Sequence, residues 1–120
     1  MNKYKIDLSF PTFKRTVKRL KKKFPSVNKD LDSIFSQLEN EPPIGVPIPL
    51  INAPVYKVRI KNSDIQKGKS RGYRLVYKFD EKNKMITPLI LYFKAEKTNV
   101  FNREIRDMLD SLEKSLFDEV

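Results

Sequence analysis

Residues 55–79 read VYKVRIKNSDIQKGKSRGYRLVYKF. At the front, Lys57 and Arg59 alternate with Tyr56, Val58 and Ile60, which is the two-residue period of a strand with one apolar and one cationic side. At the back, Tyr73, Leu75, Tyr77 and Phe79 share one side, and Arg74, Val76 and Lys78 the other. Between them KNSDIQKGKSRG is polar and basic, so the stretch predicts two strands, 55–60 and 73–79, joined by a loop. If the two strands are neighbours, their cations form one surface.

Working outward, MITPLILYF at 85–93 predicts a third strand, joined to the second by a hairpin turn at 80–84, and Lys94 at its end extends the cationic side. Five of the eight prolines lie in residues 42–55 among Ile44, Val46, Ile48, Leu50 and Ile51. A flexible linker is rich in Gly and Ser, so this segment is expected as an extended loop against the core, not a domain boundary. Upstream, Phe13, Val17, Leu20 and Phe24 fall on one stripe of a helix over 12–24, opened by Pro11 and closed by Pro25. Leu31, Ile34, Phe35 and Leu38 mark a second helix, capped by Ser26 or Asn28 and ended by Pro42 and Pro43. Residues 4–10 alternate Tyr4, Ile6, Leu8 and Phe10 with polar residues, predicting a first strand. Phe101, Ile105, Met108, Leu109, Leu112 and Leu116 mark a closing amphipathic helix with Asn102 as its cap. The order is β-α-α-β-β-β-α, an α+β protein. Its 120 residues are expected to form a single domain, 1–120.

Lys and Arg number 25 against 15 Asp and Glu, a net charge of +10. Residues 103–120 are net negative, so the positive charge lies upstream and points to a polyanionic partner. Seven cations stand among residues 14–23 with no acid between them. Lys14, Lys18, Lys21 and Lys22 on the first helix, and Lys61, Lys67, Lys69 and Arg71 in the basic loop, are the expected nucleic-acid contacts. The ordinary use of such a stripe is a solvated helix face, and the competing use is a membrane-surface helix, which the lack of Trp weakens. The chain has no Cys and no His, which removes disulfides, thiolate nucleophiles and imidazole acid–base catalysis. The acid pairs Asp30 with Asp32, Asp80 with Glu81 and Asp118 with Glu119 show no metal-ligand spacing, so no metal and no cofactor is expected. The N-terminus lacks an apolar run and no segment is long enough to span a bilayer, so the expected location is cytoplasmic, with no membrane partner.

Clustered Lys57, Arg59, Arg74 and Lys94 repel one another unless an anion sits among them, which is how a phosphate site is built. The alternative is the ordinary solvated face of an antiparallel sheet. Tyr92 and Glu96 flank Lys94 and are the acid–base candidates nearby, with core packing and a surface ion pair as their ordinary uses. Gly68 and Gly72 match no phosphate-cradling loop and are expected to supply tight turns.

The K-x-R pair at 57–59, the segment GKSRGYRLVY at 68–77 and YFKAE at 92–96, in that order, resemble the RelE/ParE superfamily of type II toxin–antitoxin toxins, and within it the RelE/HigB-like branch. The resemblance runs the length of the chain. It implies an N-terminal helical hairpin packed on a small antiparallel sheet with a C-terminal helix. It further implies a ribosome-dependent mRNA endonuclease that promotes attack by the RNA's own 2′-hydroxyl without a metal. Carried over by position, Lys57, Arg59, Arg74 and Lys94 are the catalytic cations, with Lys57 as base and Arg59 and Arg74 stabilising the phosphorane. The implied partners are a cognate antitoxin, wrapping the sheet or displacing the last helix, and the ribosome with its mRNA. The sequence departs from some members at Ala95, where they carry arginine, and at Phe101, where they carry tyrosine. ParE-like relatives lack the nuclease residues and inhibit DNA gyrase, so a gyrase inhibitor, or a module that binds the ribosome without cleavage, is the alternative.

Overall fold

The structure is a computed structural model that describes residues 3–65 and 72–118, the last three without their side chains. Strand β1 (Lys5–Ile6) leads to helices α1 (Pro11–Lys23) and α2 (Val27–Asn40). A short strand β2 (Val46–Pro47) then precedes β3 (Val55–Ile60), β4 (Tyr73–Asp80) and β5 (Met85–Phe93), and α3 (Asn102–Asp118) closes the chain. The five strands form one sheet in the order β1-β5-β4-β3-β2. It is antiparallel except at β1, which pairs parallel to β5 through Lys5 and Ile6.

The expected first strand is shorter than its alternation implies. The Asp7 carboxylate accepts hydrogen bonds from the Ser9 backbone N–H (3.0 Å) and hydroxyl (2.6 Å), and this local turn ends the pairing. Tyr4 and Ile6 consequently pack on one core while Phe10 enters another and Leu8 stays exposed. The proline-rich segment also differs from a plain loop. Val46 and Pro47 pair with Lys57 and Tyr56, and Gly45 makes this possible: its φ is +100°, and a Cβ there would collide with the Lys57 carbonyl. Gly72 supplies no left-handed turn. It lets β4 approach the Ile60 carbonyl, a space that a Cβ would fill.

The sheet is covered on both faces. Phe13, Leu20, Phe24, Leu31 and Leu38 of the helical hairpin pack on Val58, Tyr73, Leu75, Tyr77, Leu91 and Phe93. On the opposite face Ile105 and Met108 of α3, with Val100 and Phe10, pack on Val55, Val76, Ile90 and Tyr92. A β-bulge makes this possible: the β4–β5 register passes from Val76 opposite Ile90 to Tyr77 opposite Pro88, which leaves Leu89 unpaired and turns it into the α3 core. Helix α1 runs along β5, where the Thr16 hydroxyl accepts from the Leu91 N–H (3.2 Å).

The caps differ from expectation. Ser26 precedes α2 but makes no side-chain cap, and its N–H donates to the Asp64 carboxylate (2.8 Å). Asn102 is the first residue of α3, not its cap. Glu104 reaches back to the Phe101 N–H (3.1 Å), the reciprocal half of a capping box. Asp30 and Asp80 also serve the backbone, accepting from the N–H of Ser63 and Asn83 (both 3.0 Å).

Three core tyrosines make the fold sensitive to alkali. Burial is the largest cause raising the phenols of Tyr73, Tyr77 and Tyr92, and Tyr77 is pushed up to about 12. A folded-state value above that of the unfolded chain means stability is complete below about pH 10, where both states hold the proton. It then falls as pH rises toward 12, because only the unfolded chain ionises freely. Circular dichroism against pH should show unfolding coincident with phenolate absorbance in this window, and separate curves would contradict the assignment.

Candidate functional site

Strands β3 and β4 pair with Arg59 opposite Arg74 and Lys57 opposite Val76, and β5 places Tyr92 opposite Arg74. The strand period thus collects Lys57, Arg59 and Arg74 on one face, as the alternation of residues 55–79 predicts, and the register of β5 adds Tyr92 to it. What the alternation does not reveal is that α3 covers part of this face. Arg74 is only 6% exposed and Tyr92 2%, whereas Arg59 is exposed and Lys57 half-buried. The face is neither a flat cationic surface nor a solvated sheet exterior. It is a partly roofed patch with arginine 74 at its inner edge.

Arg74 donates to the Tyr73 carbonyl (3.1 Å), and among the described residues none of Lys57, Arg59 and Arg74 has an acidic partner within ion-pairing distance. Burial, and then the adjacent Arg59, lower the Arg74 guanidinium from its usual range, with Tyr92 opposing them. A buried cation without a counter-ion is costly, and an anion on the patch removes that cost. The Tyr92 hydroxyl is buried with no hydrogen-bond partner, and burial raises its phenol against the opposing influence of Arg74. At 2% exposure it lies beneath the surface of the patch, opposite Arg74.

Two of the other predicted residues make contacts of their own. The Lys94 ammonium donates to the Thr98 carbonyl (2.5 Å) and closes the turn after β5. Glu96 pairs with Arg19 (3.7 Å) and Lys23 (3.8 Å) of α1, the ordinary surface use, and so is not gathered with the cations on β3 and β4. Lys14, Lys18, Lys21 and Lys22 are exposed along α1, and Lys61 is exposed after β3. Lys67, Lys69 and Arg71 lie outside the described residues. Among the described residues no group of His, Cys, Asp and Glu could hold a metal ion, and no helix is long and apolar enough to cross a membrane.

Beside Lys57 the face opens into a cleft of about 470 Å³, lined by Val46, Pro47, Ile48 and Pro49 on one side and by Asn99, Val100, Phe101 and Asn102 on the other. Its walls are tied together: the Asn102 amide donates to the Pro49 carbonyl (3.1 Å), and Arg106 to the Leu50 carbonyl (2.7 Å). Sequence reasoning did not place Val46 or Asn99 near the cations. The only signal was an apolar, proline-rich segment too hydrophobic to be a linker.

Fold and site together define a small α+β protein with a cation patch on the sheet face that its C-terminal helix partly covers, opposite a helical hairpin. No family model matches the chain, and no curated protein matches it in sequence. Among solved structures it is similar to the E. coli toxin RelE, seen as a double mutant in the free state, with a TM-score of 0.54 and 18% identity. The match covers 82% of this chain and 90% of that one. The fold is therefore RelE-like.

Proposed function

We propose that this chain is the toxin of a type II toxin–antitoxin system and that it cleaves ribosome-bound mRNA in the cytoplasm. The observation that carries the reading is the buried Arg74, opposite Arg59 and, among the described residues, without an acidic partner within ion-pairing distance. The RelE-like fold and the sequence resemblance support it, and the net charge of +10 suits an RNA partner.

In this reading the scissile phosphate sits on Arg59 and Arg74. Lys57 takes the proton of the neighbouring 2′-hydroxyl as that oxygen attacks phosphorus. The bond to the 5′-oxygen breaks, and this oxygen collects a proton, leaving a 2′,3′-cyclic phosphate and a 5′-hydroxyl. Two guanidinium groups fixed on adjacent strands stabilise the charge that builds on the phosphorane, since neither must reorganise during the step. Lys94 holds the turn after β5, and Tyr92 supports Arg74 from below. The basic faces of α1 and of Lys61 supply the salt-dependent attraction to RNA. An antitoxin is the protein partner implied by this class.

The test is 3′-end mapping of a defined mRNA in a reconstituted translation system, with and without ribosomes, for the wild type and Lys57→Ala. Cuts in phase with codons, present only with ribosomes and reduced roughly 100-fold or more in the variant, are expected for loss of a general base. Intact mRNA with continuing translation rejects the reading and turns attention to gyrase. Intact mRNA on stalled ribosomes would mean binding without cleavage.

A further inference from the structure

Helices α1 and α2 leave a cleft of about 420 Å³ between them, with Leu8, Phe13, Val17, Leu31 and Phe35 as its apolar floor. The Phe13 and Phe35 rings meet across it, their centroids 6.2 Å apart and their planes tilted by 60°. Leu8 is 47% exposed and packs on neither core, so its side chain stands in water beside the cleft. One rim is cationic: Lys14, Lys18 and Lys21 are exposed and fall at i, i+4 and i+7, on one side of α1. Asp32 on the facing rim lies beyond ion-pairing distance of all three, and among the described residues they have no other acidic partner at that distance. Three lysines against one aspartate leave the cleft net positive.

We propose that this cleft binds one monomeric anionic amphiphile, a medium-chain carboxylate, with its chain on Phe13, Val17, Leu31 and Phe35 and its head among Lys14, Lys18 and Lys21. An apolar floor with a few charged groups at the rim is the layout of a small-ligand site, and the volume falls within the roughly 300–1,000 Å³ usual for one. From Phe13 to Lys21 the cleft follows α1 for eight residues, roughly 12 Å. A stable protein partner covers about 800 Å² on each side, so these dimensions favour a single chain over a docked helix. Lysine heads in water above an apolar floor bind a carboxylate without losing their own hydration, whereas a cationic head meets repulsion there. The inference does not depend on the RNA reading, because the hairpin packs on the sheet face opposite the one that carries Arg74.

The test is calorimetric titration of the full chain with octanoate and decanoate below their micelle concentrations. Decanoate should bind at one site, roughly 15-fold more tightly than octanoate, the gain from burying two more methylenes. Decyltrimethylammonium, with the same tail and the opposite charge, should not bind. Leu8→Asp and Lys18→Glu should each weaken decanoate roughly 10-fold or more, by adding a carboxylate beside the chain or at the head. Lys29→Glu makes the same change in net charge at an exposed residue that does not line the cleft, and should bind as the wild type does. All three side chains are exposed, so each variant is expected to keep the wild-type circular dichroism. Amide resonances of Val17 and Leu31 should shift with decanoate, and those of Arg59 and Arg74 should not. Equal binding by Leu8→Asp, equal binding of decyltrimethylammonium, or shifts confined to Arg59 and Arg74 would overturn the site. So would a protein that ignores decanoate, even one that sediments with phosphatidylglycerol vesicles or captures an acidic helical peptide, since the face would then serve a membrane or a protein.

Discussion

Replacing Arg74 with leucine is expected to reduce codon-phased mRNA cleavage roughly 100- to 1,000-fold, the usual cost of removing one group that stabilises charge in the transition state. The same substitution should leave the melting temperature unchanged or raise it. Arg74 is buried, it donates a hydrogen bond to the Tyr73 carbonyl, and it lies opposite Arg59 with no acidic partner within ion-pairing distance among the described residues. Leucine keeps the apolar stem against Val76 and Tyr92 while removing a charge that the fold leaves uncompensated. Opposite signs for activity and stability are what a residue kept for its ligand should show. A variant that cleaves normally, or that unfolds at markedly lower temperature, would mean that Arg74 serves the core. Added phosphate offers a check on the wild type alone: it should raise the melting temperature by mass action, and should do so less in Arg74→Leu.

The second large effect is expected at Tyr77, buried on the hairpin side of the sheet. Its hydroxyl accepts from the Ile44 N–H (2.7 Å) and donates to the Ile44 carbonyl (2.6 Å), so one side chain holds both backbone polar groups of that residue. Tyr77→Phe leaves both without a partner, at a cost of about 2 kcal/mol. For a chain of this size that is roughly 6–12 °C in melting temperature, measurable by calorimetry. It should also remove one of the buried phenols that titrate above pH 10. The effect should reach the cleft, because the segment after Ile44 carries Val46 and Pro47, which pair with Lys57 and Tyr56. Amide exchange at Val46 should therefore quicken in Tyr77→Phe, while exchange in α2 is unchanged. A loss of stability without this local opening would place the role of Tyr77 in general packing.

These two residues show what each level of description settles. The amino-acid sequence by itself determines β3 and β5, whose bounds coincide with those expected, the first helix to within a residue at either end, the presence of the second, and the shared face of Lys57, Arg59 and Arg74. All of these follow from periodicity, which depends only on near neighbours in the chain. Only the tertiary structure decides what covers that face. The pattern of 55–79 suits a solvated sheet equally well until Ile105 and Met108, far along the chain, close over Val76 and Ile90 on the face that holds the buried Arg74. The same holds for Lys94 and Glu96, which stand beside Tyr92 in sequence but satisfy Thr98 and helix α1 in space. It holds too for Phe101, whose place at the head of an amphipathic helix suggests a core residue until the register leaves it outside. Burial is a property of what arrives from elsewhere, and the closure of long loops that brings it there leaves no periodic mark in the sequence.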